Sequence, residues 1–226
     1  QGEKGQLLER NHHSVHILQH LLGDGRDACT CFDHLFFFGD LNYRLGSPEL
    51  PDKVSASRPE SVQYWDEVAT DIANASWQSL YERDQLREQI ASGRAFYGFD
   101  DGGVLPFAPT FKMGKEKKAK DKDKARRASQ VTPSTPNPRE DDEALGLGPA
   151  GKLPDGGSNH ALAEACGNHY RSARIPSYTD RVLALHGPAA ASMTRRLEQG
   201  DAKELTEHSD HGPVYSIFST AFLPHA

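Results

Sequence analysis

Phe36-Phe37-Phe38-Gly39-Asp40-Leu41-Asn42-Tyr43-Arg44-Leu45 is the stretch on which the fold of this chain turns. Three consecutive aromatic residues are short enough for a buried strand, and Gly39 is a natural place for the chain to leave it. A carboxylate, an amide, a phenol and a guanidinium then follow within five positions. Asp40 and Asn42 are expected just past the strand's end, on the rim of a sheet, where polar groups face a ligand while aromatic anchors hold them still. Taken alone, Gly-Asp-x-Asn reads more readily as a strand ending in an Asx turn. The sequence downstream shifts that balance.

The bulk composition sets limits. A chain of 226 residues can bury a sizeable core, as one domain or as part of a larger one. Hydrophobic residues make up 36% and the mean hydropathy is -0.68, low values that point to some unstructured length. A formal charge of -6 argues against a general nucleic-acid binder, so no nucleic-acid partner is expected. The basic charge is concentrated, with eight basic and three acidic side chains between Lys115 and Arg127. Cys29, Cys31 and Cys166 make no disulfide framework, and Cys29-Thr30-Cys31 leaves too little chain between its thiols for an ordinary metal chelate. Free thiols in a reducing compartment follow, hence a cytoplasmic location. No run approaches a transmembrane span, and Gln1 opens neither a signal peptide nor a chain with a starting methionine, which suggests a fragment.

Along the chain, residues 3 to 22 are expected to form an amphipathic helix with Leu8, Val15, Leu18 and Leu22 on its apolar side and Gly23 as its stop. His12, His16 and His20 recur at i, i+4 and i+8 and read as a solvated face rather than a metal site. A proline-bearing loop (46–59) precedes two helices, about 61–73 and 76–91. Phe96 to Phe99 and Val104 to Phe107 are expected as short strand-like pieces around the turn Asp100-Asp101-Gly102-Gly103. Residues 113–168 lose all hydrophobic periodicity and read as a disordered charged insertion. Their basic run suits peripheral contact with an anionic membrane, though a solubilising tail is the simpler account. The flanking parts, 1–112 and 169–226, form one interrupted domain. Val182 to Leu183 lies in a strand, residues 187 to 207 form a loop or variable segment, and Val214 to Phe222 is the last strand.

Four separated stretches together resemble the inositol polyphosphate 5-phosphatases of the endonuclease/exonuclease/phosphatase group. They are Gly39 to Leu45, Pro109-Thr110-Phe111-Lys112, Pro176-Ser177-Tyr178-Thr179-Asp180-Arg181 and Ser209-Asp210-His211. Glu9-Arg10-Asn11, Asp84-Gln85-Leu86 and Phe96-x-Gly98-Phe99 add weaker support. The resemblance implies an α/β fold, the four-layer α/β sandwich of the DNase I-like type, incomplete here at its N-terminus. It also implies that the principal magnesium-binding glutamate and a further phosphate-contacting histidine belong to a preceding portion, so that this chain alone should be nearly inactive.

The implied chemistry is magnesium-dependent hydrolysis of the 5-phosphate of a phosphoinositide or soluble inositol phosphate. Asp40 orients or deprotonates the water, and Asn42 donates to a phosphate oxygen. A protonated His211 stabilises phosphate charge, with Asp180 fixing its tautomer. A simple ion pair of Asp180 with Arg181 is the lesser alternative. Asp210, on the opposite side of an extended chain from His211, is the candidate on the metal side, and Mg2+ suits such hard oxygen ligands. Arg44, Lys112 and Arg174 are candidates for substrate phosphates, the last two for the 4-phosphate. Phe111 stands where many members have tyrosine, which removes a donor. Tyr178, like Tyr43, reads evenly as a substrate contact or a core aromatic. A nuclease of the same superfamily and a non-catalytic scaffold using the insertion are the rival readings.

Overall fold

A computed structural model describes residues 3–46, 54–55, 57–113, 170, 174–202 and 209–221. Of the 113–168 stretch read as a disordered insertion, only Met113 is among them, and it is buried and bridges to Tyr170, so it belongs to the domain. In order along the chain come α1 (Glu3–His20), α2 (Ala28–Cys31), β1 (His34–Asp40), α3 (Pro59–Ala73), α4 (Trp77–Glu82), α5 (Gln85–Ala91), β2 (Asp180–His186), α6 (Pro188–Ala191), β3 (Thr194–Asp201) and β4 (Val214–Thr220).

The organising element is a ladder between distant segments. β1 pairs antiparallel with β2 along its whole length, from His34 opposite His186 to Asp40 opposite Asp180. β3 and β4 form a second antiparallel pair, with a register shift between Arg196 and Glu198. Gly39 lies inside β1 rather than after it, at φ 137°, a backbone conformation that L side chains rarely adopt, so its requirement is conformational. Asp40 is accordingly the last residue of the strand, not the first beyond it.

The aromatic run does not form a buried strand. Phe36 is 41% and Phe38 72% exposed, with Phe37 half-buried between them. Successive side chains alternate across a sheet, and among the described residues only one face of β1 is well covered. Phe37 packs edge-on against Phe96.

Two apolar clusters hold the rest. One gathers Trp65 and Val68 of α3, Leu80 of α4, Leu105, Phe107 and Tyr178. The other joins Leu7 and Leu18 of α1 to Leu86 of α5, Phe96, Phe99 and Leu183 of β2. The α1 stripe therefore differs from the expected one: Leu18 is buried, but Leu8 and Val15 face outward, and Leu7, Asn11 and Ser14 turn inward. A buried polar network replaces leucine packing there. Asn11 donates to Gln89 Oε1 at 2.8 Å and accepts from the Tyr43 hydroxyl at 2.8 Å.

Three further expectations change. The helix expected over 76–91 breaks at Asp84, whose carboxylate caps the Leu86 N–H at 2.9 Å and starts α5 afresh. The aromatic pieces at 96–99 and 104–107 are turns and irregular chain, with only Asp100 bridging to Ala184. Positive φ at Phe96, Gly98, Gly102 and Gly103 prevents a continuous strand. Conversely, the segment read as a loop after Gly187 contains α6 and β3. The sequence of β3, TRRLEQGD, is too polar to display an apolar alternation.

Candidate active site

The site forms at the end of the long ladder, where three remote segments meet. Thr110 and Phe111 lie between the chain at 177–179 and that at 210–212. Phe111 and Ser177 exchange backbone bonds at 3.1 and 2.7 Å, and Gly212 N–H donates to Thr110 O at 2.8 Å. On the other side, the ladder sets Asp40 opposite Asp180. Backbone pairing thus delivers one carboxylate from each strand and an imidazole from a third segment.

His211 stands between the two carboxylates. Its Nδ1 is 3.1 Å from both oxygens of Asp180, and its Nε2 is 3.9 Å from Asp40 Oδ2. Asp180 is itself held by two hydroxyls. Thr110 donates to Oδ2 at 2.8 Å and Thr179 at 3.0 Å, both threonines being fully buried. Burial and the nearby negative charge of Asp180 push the Asp40 carboxyl above its ordinary value, against the opposing influence of His211, the Asn42 N–H and Arg44. One ligand atom from each of Asp40, Asp180 and His211 can be chosen so that all lie within 4.8 Å, close enough to hold a metal ion.

Past β1 the chain turns on its own side chains. Asp40 Oδ1 accepts from the Asn42 N–H at 2.9 Å, and Asn42 takes the left-handed conformation, φ 61°, that asparagine tolerates well. Asn42 Oδ1 accepts a short bond from the Arg44 guanidinium. Gln85 Oε1 accepts from both the Arg44 N–H and Arg10, tying this turn to α5 and α1.

The remaining predicted residues fall into two groups. Arg44 and Lys112 come to the site through Phe111: the guanidinium lies 4.5 Å and the ammonium 5.4 Å from its ring centroid, and the His211 ring centroid is 4.6 Å away. Lys112 also pairs with Asp210 at 2.6 Å, and this ammonium holds the Asp210 carboxyl below its ordinary value. Asp210 lies beside His211 in sequence but points to Lys112 rather than to the Asp40–Asp180–His211 group. Arg174 is half-buried on the stretch leading into Ile175. Tyr178 is buried in the first apolar cluster, where its hydroxyl donates to Phe107 O at 2.8 Å. Tyr43 is likewise a core aromatic with a satisfied hydroxyl.

Arg181 does not pair with Asp180. Adjacent strand residues point to opposite faces, and Arg181 turns inward to Asp84 and, at 3.0 Å, to Asp101. Asp180 is left for His211. Sequence reading missed Thr110 and Thr179 as the hydroxyls that hold Asp180, and Gln85 as the anchor of the turn. Each lies within or beside a motif already quoted, which was the only available signal. The row His12, His16 and His20 stacks along α1 and stays exposed.

The chain is similar over part of its length to several known proteins. The chain is 34% identical over 80 residues to type IV inositol polyphosphate 5-phosphatase 9 of Arabidopsis thaliana, covering 35% of this chain and 15% of that protein. It is 32% identical over 109 residues to human synaptojanin-1, covering 48% of this chain and 6% of that protein. Type I inositol polyphosphate 5-phosphatase 5 of Arabidopsis thaliana is 31% identical over 128 residues, which is 52% of this chain and 21% of that protein. The chain thus spans a small part of these relatives. Among solved structures, the 5-phosphatase domain of SPsynaptojanin, in complex with inositol (1,4)-bisphosphate and calcium ion, superposes with a TM-score of 0.52 at 19% identity. That match covers 94% of this chain and 43% of the other, and it shows a shared mixed α/β fold. Residues 1–133 match Endonuclease/Exonuclease/phosphatase family 2, and the chain belongs to that family.

Proposed function

We propose that the protein hydrolyses the 5-phosphate of phosphoinositides, such as phosphatidylinositol 4,5-bisphosphate or 3,4,5-trisphosphate, or of soluble inositol polyphosphates. The observation that carries this reading is the imidazole of His211 set between Asp180 and Asp40. Asp180 accepts from Nδ1–H, so Nε2 faces the side on which Asp40 lies. That tautomer presents either a lone pair or, after protonation, a positive N–H to an incoming phosphate. Asp40, with its proton affinity raised, takes a proton from the attacking water. The water oxygen bonds to phosphorus as the bond to the inositol oxygen breaks on the opposite side. Negative charge on the phosphate oxygens is met by His211 and by the amide nitrogen of Asn42, whose oxygen is already occupied by Arg44.

Asp40 presents the hard carboxylate oxygen that magnesium favours, and Asp210, the other proposed ligand, would have to give up its pairing with Lys112 to join it. When bound there, a magnesium ion would supply positive charge to the phosphate oxygens. Arg44, Lys112 and Arg174 are the cations proposed to read phosphates away from the reacting one, Lys112 and Arg174 the 4-phosphate. Tyr178 acts on the substrate only indirectly, by fixing the strand that carries Asp180. The fold is read as part of a four-layer sandwich, and the protein as working in the cytoplasm with peripheral contact at membranes. No described helix is long and apolar enough to cross one.

The test is release of phosphate from phosphatidylinositol 4,5-bisphosphate and from soluble inositol phosphates by the full-length protein with magnesium. Asp40→Ala and His211→Ala should each lower turnover by about 10²–10⁴-fold. Wild-type turnover in both variants would overturn the assignment. Nicking of plasmid DNA without phosphate release would move it to a nuclease of the same superfamily.

A further inference from the structure

The β1–β2 ladder carries a second matched pair at its other end. His34 and His186 are directly opposed partners in the register, six residues along β1 from Asp40, or about 20 Å at strand rise. Their Nδ1 atoms approach to 3.1 Å, with the rings inclined at 74°. We propose that His34 and His186 form a bis-imidazole site for a zinc-class divalent cation, separate from the carboxylate site.

Three observations converge on this. The first is the spacing. Two nitrogens bound at about 2.0 Å in a tetrahedron lie about 3.3 Å apart, close to the spacing of this pair. Second, the contact brings two ring nitrogens together, and two unprotonated acceptors at that distance would repel, so either a proton or a cation lies between them. Third, one ring is oriented from behind. His34 Nε2 is 3.1 Å from the Thr220 hydroxyl, which is joined at 2.8 Å to Thr194. An Nε2–H donated to Thr220 leaves Nδ1 as the unprotonated ligand atom, the outer support that ligating histidines require. Phe36 and Phe218 wall the pair, with Phe36 and Phe218 ring centroids 5.9 and 6.3 Å from that of His186. Two imidazoles favour zinc, nickel or copper over magnesium, so this site and the carboxylate site select different metals.

Zinc bound at equilibrium, measured on the protein and its variants after dialysis, tests the proposal. His34→Gln and His186→Gln should each remove one equivalent. Thr220→Val should keep the site but weaken it about tenfold. His16→Gln on the exposed α1 row should leave that equivalent in place. Unchanged stoichiometry in the first two variants, or the same loss in His16→Gln, would overturn the site. Imidazole ¹⁵N spectra of the unsubstituted protein give a readout independent of folding in the variants. Zinc should shift Nδ1 of both His34 and His186, and resonances that stay in place would show that the pair shares only a hydrogen bond.

Discussion

Phe111 has no hydrogen-bonding atom in its side chain, yet Arg44, Lys112 and His211 all meet on its ring. A tyrosine hydroxyl there would add a donor, but the aromatic face already does separate work, since a quadrupole holds two cations near one edge of the site. Phe111→Leu should therefore raise KM for phosphorylated inositols more than it lowers kcat, as measured by steady-state phosphate release. Thr110 and Thr179 act through Asp180. Thr110→Val should slow turnover about tenfold, with Thr110→Ser restoring most of it, because one hydroxyl remains to hold the carboxylate. The cysteines make a contrasting case. Burial and the adjacent Asp27 push the Cys29 thiol up to about 11, so it should resist iodoacetamide at pH 8 in the folded protein. Peptide mapping by mass spectrometry would read that protection, which should vanish in denaturant.

Asp84 joins two elements directly and a third through Asp101. It caps α5, and together with Asp101 it receives the buried Arg181 of β2. Asp101 accepts in turn from the Tyr81 hydroxyl of α4 at 3.2 Å. Removing the guanidinium would leave two carboxylates facing each other in the interior. Arg181→Ala should cost about 3–5 kcal/mol of stability, seen as a lower urea midpoint. At the far end of the same strand, burial and the neighbouring His34 hold His186 below its ordinary value of 6.5, with Arg196 acting in the same sense and Asp100 against it. A depressed histidine binds its proton more weakly in the folded chain than in the unfolded one. Its contribution to stability is present above about 6.5 and is lost as pH falls below that value. With a chelator present, His186→Gln should flatten the fall in urea midpoint between about pH 7 and 5.

Across the whole molecule, the long charged stretch begins and ends at neighbouring points. Met113 and Tyr170 form an antiparallel bridge, and the Tyr170 hydroxyl donates to Pro109 O at 2.6 Å, just before Thr110. Excising 116–167 and joining the ends with a few glycines and serines should leave the core folded. Shortening a closed loop from more than fifty residues to a few should stabilise it, by about 2 kcal/mol at most. Chemical denaturation of the excised protein measures this, and a large loss of stability would mean that the stretch packs on the domain.

The order of motifs determined much of what this protein is. The candidate groups Asp40, Asn42, Asp180 and His211 could be singled out because their motifs resemble those of a known family, and the structure brings Asp40, Asp180 and His211 together. Strands β1, β2 and β4 were legible because they carry apolar residues, and α3 because it has a clear apolar stripe. Local sequence could not give the exposure of Phe36 and Phe38, the polar strand β3 or the break at Asp84. Each depends on what the rest of the chain packs against, and periodicity carries no record of that. The tertiary structure also settled the partners. Arg181 and Asp180 are neighbours in sequence, but strand alternation sends one into the core and the other to His211. Tyr178 reads evenly as a ligand contact or a core aromatic by its motif, and its packing puts it in the core. A motif fixes which chemical groups are present, whereas pairing between segments more than a hundred residues apart decides which of them meet.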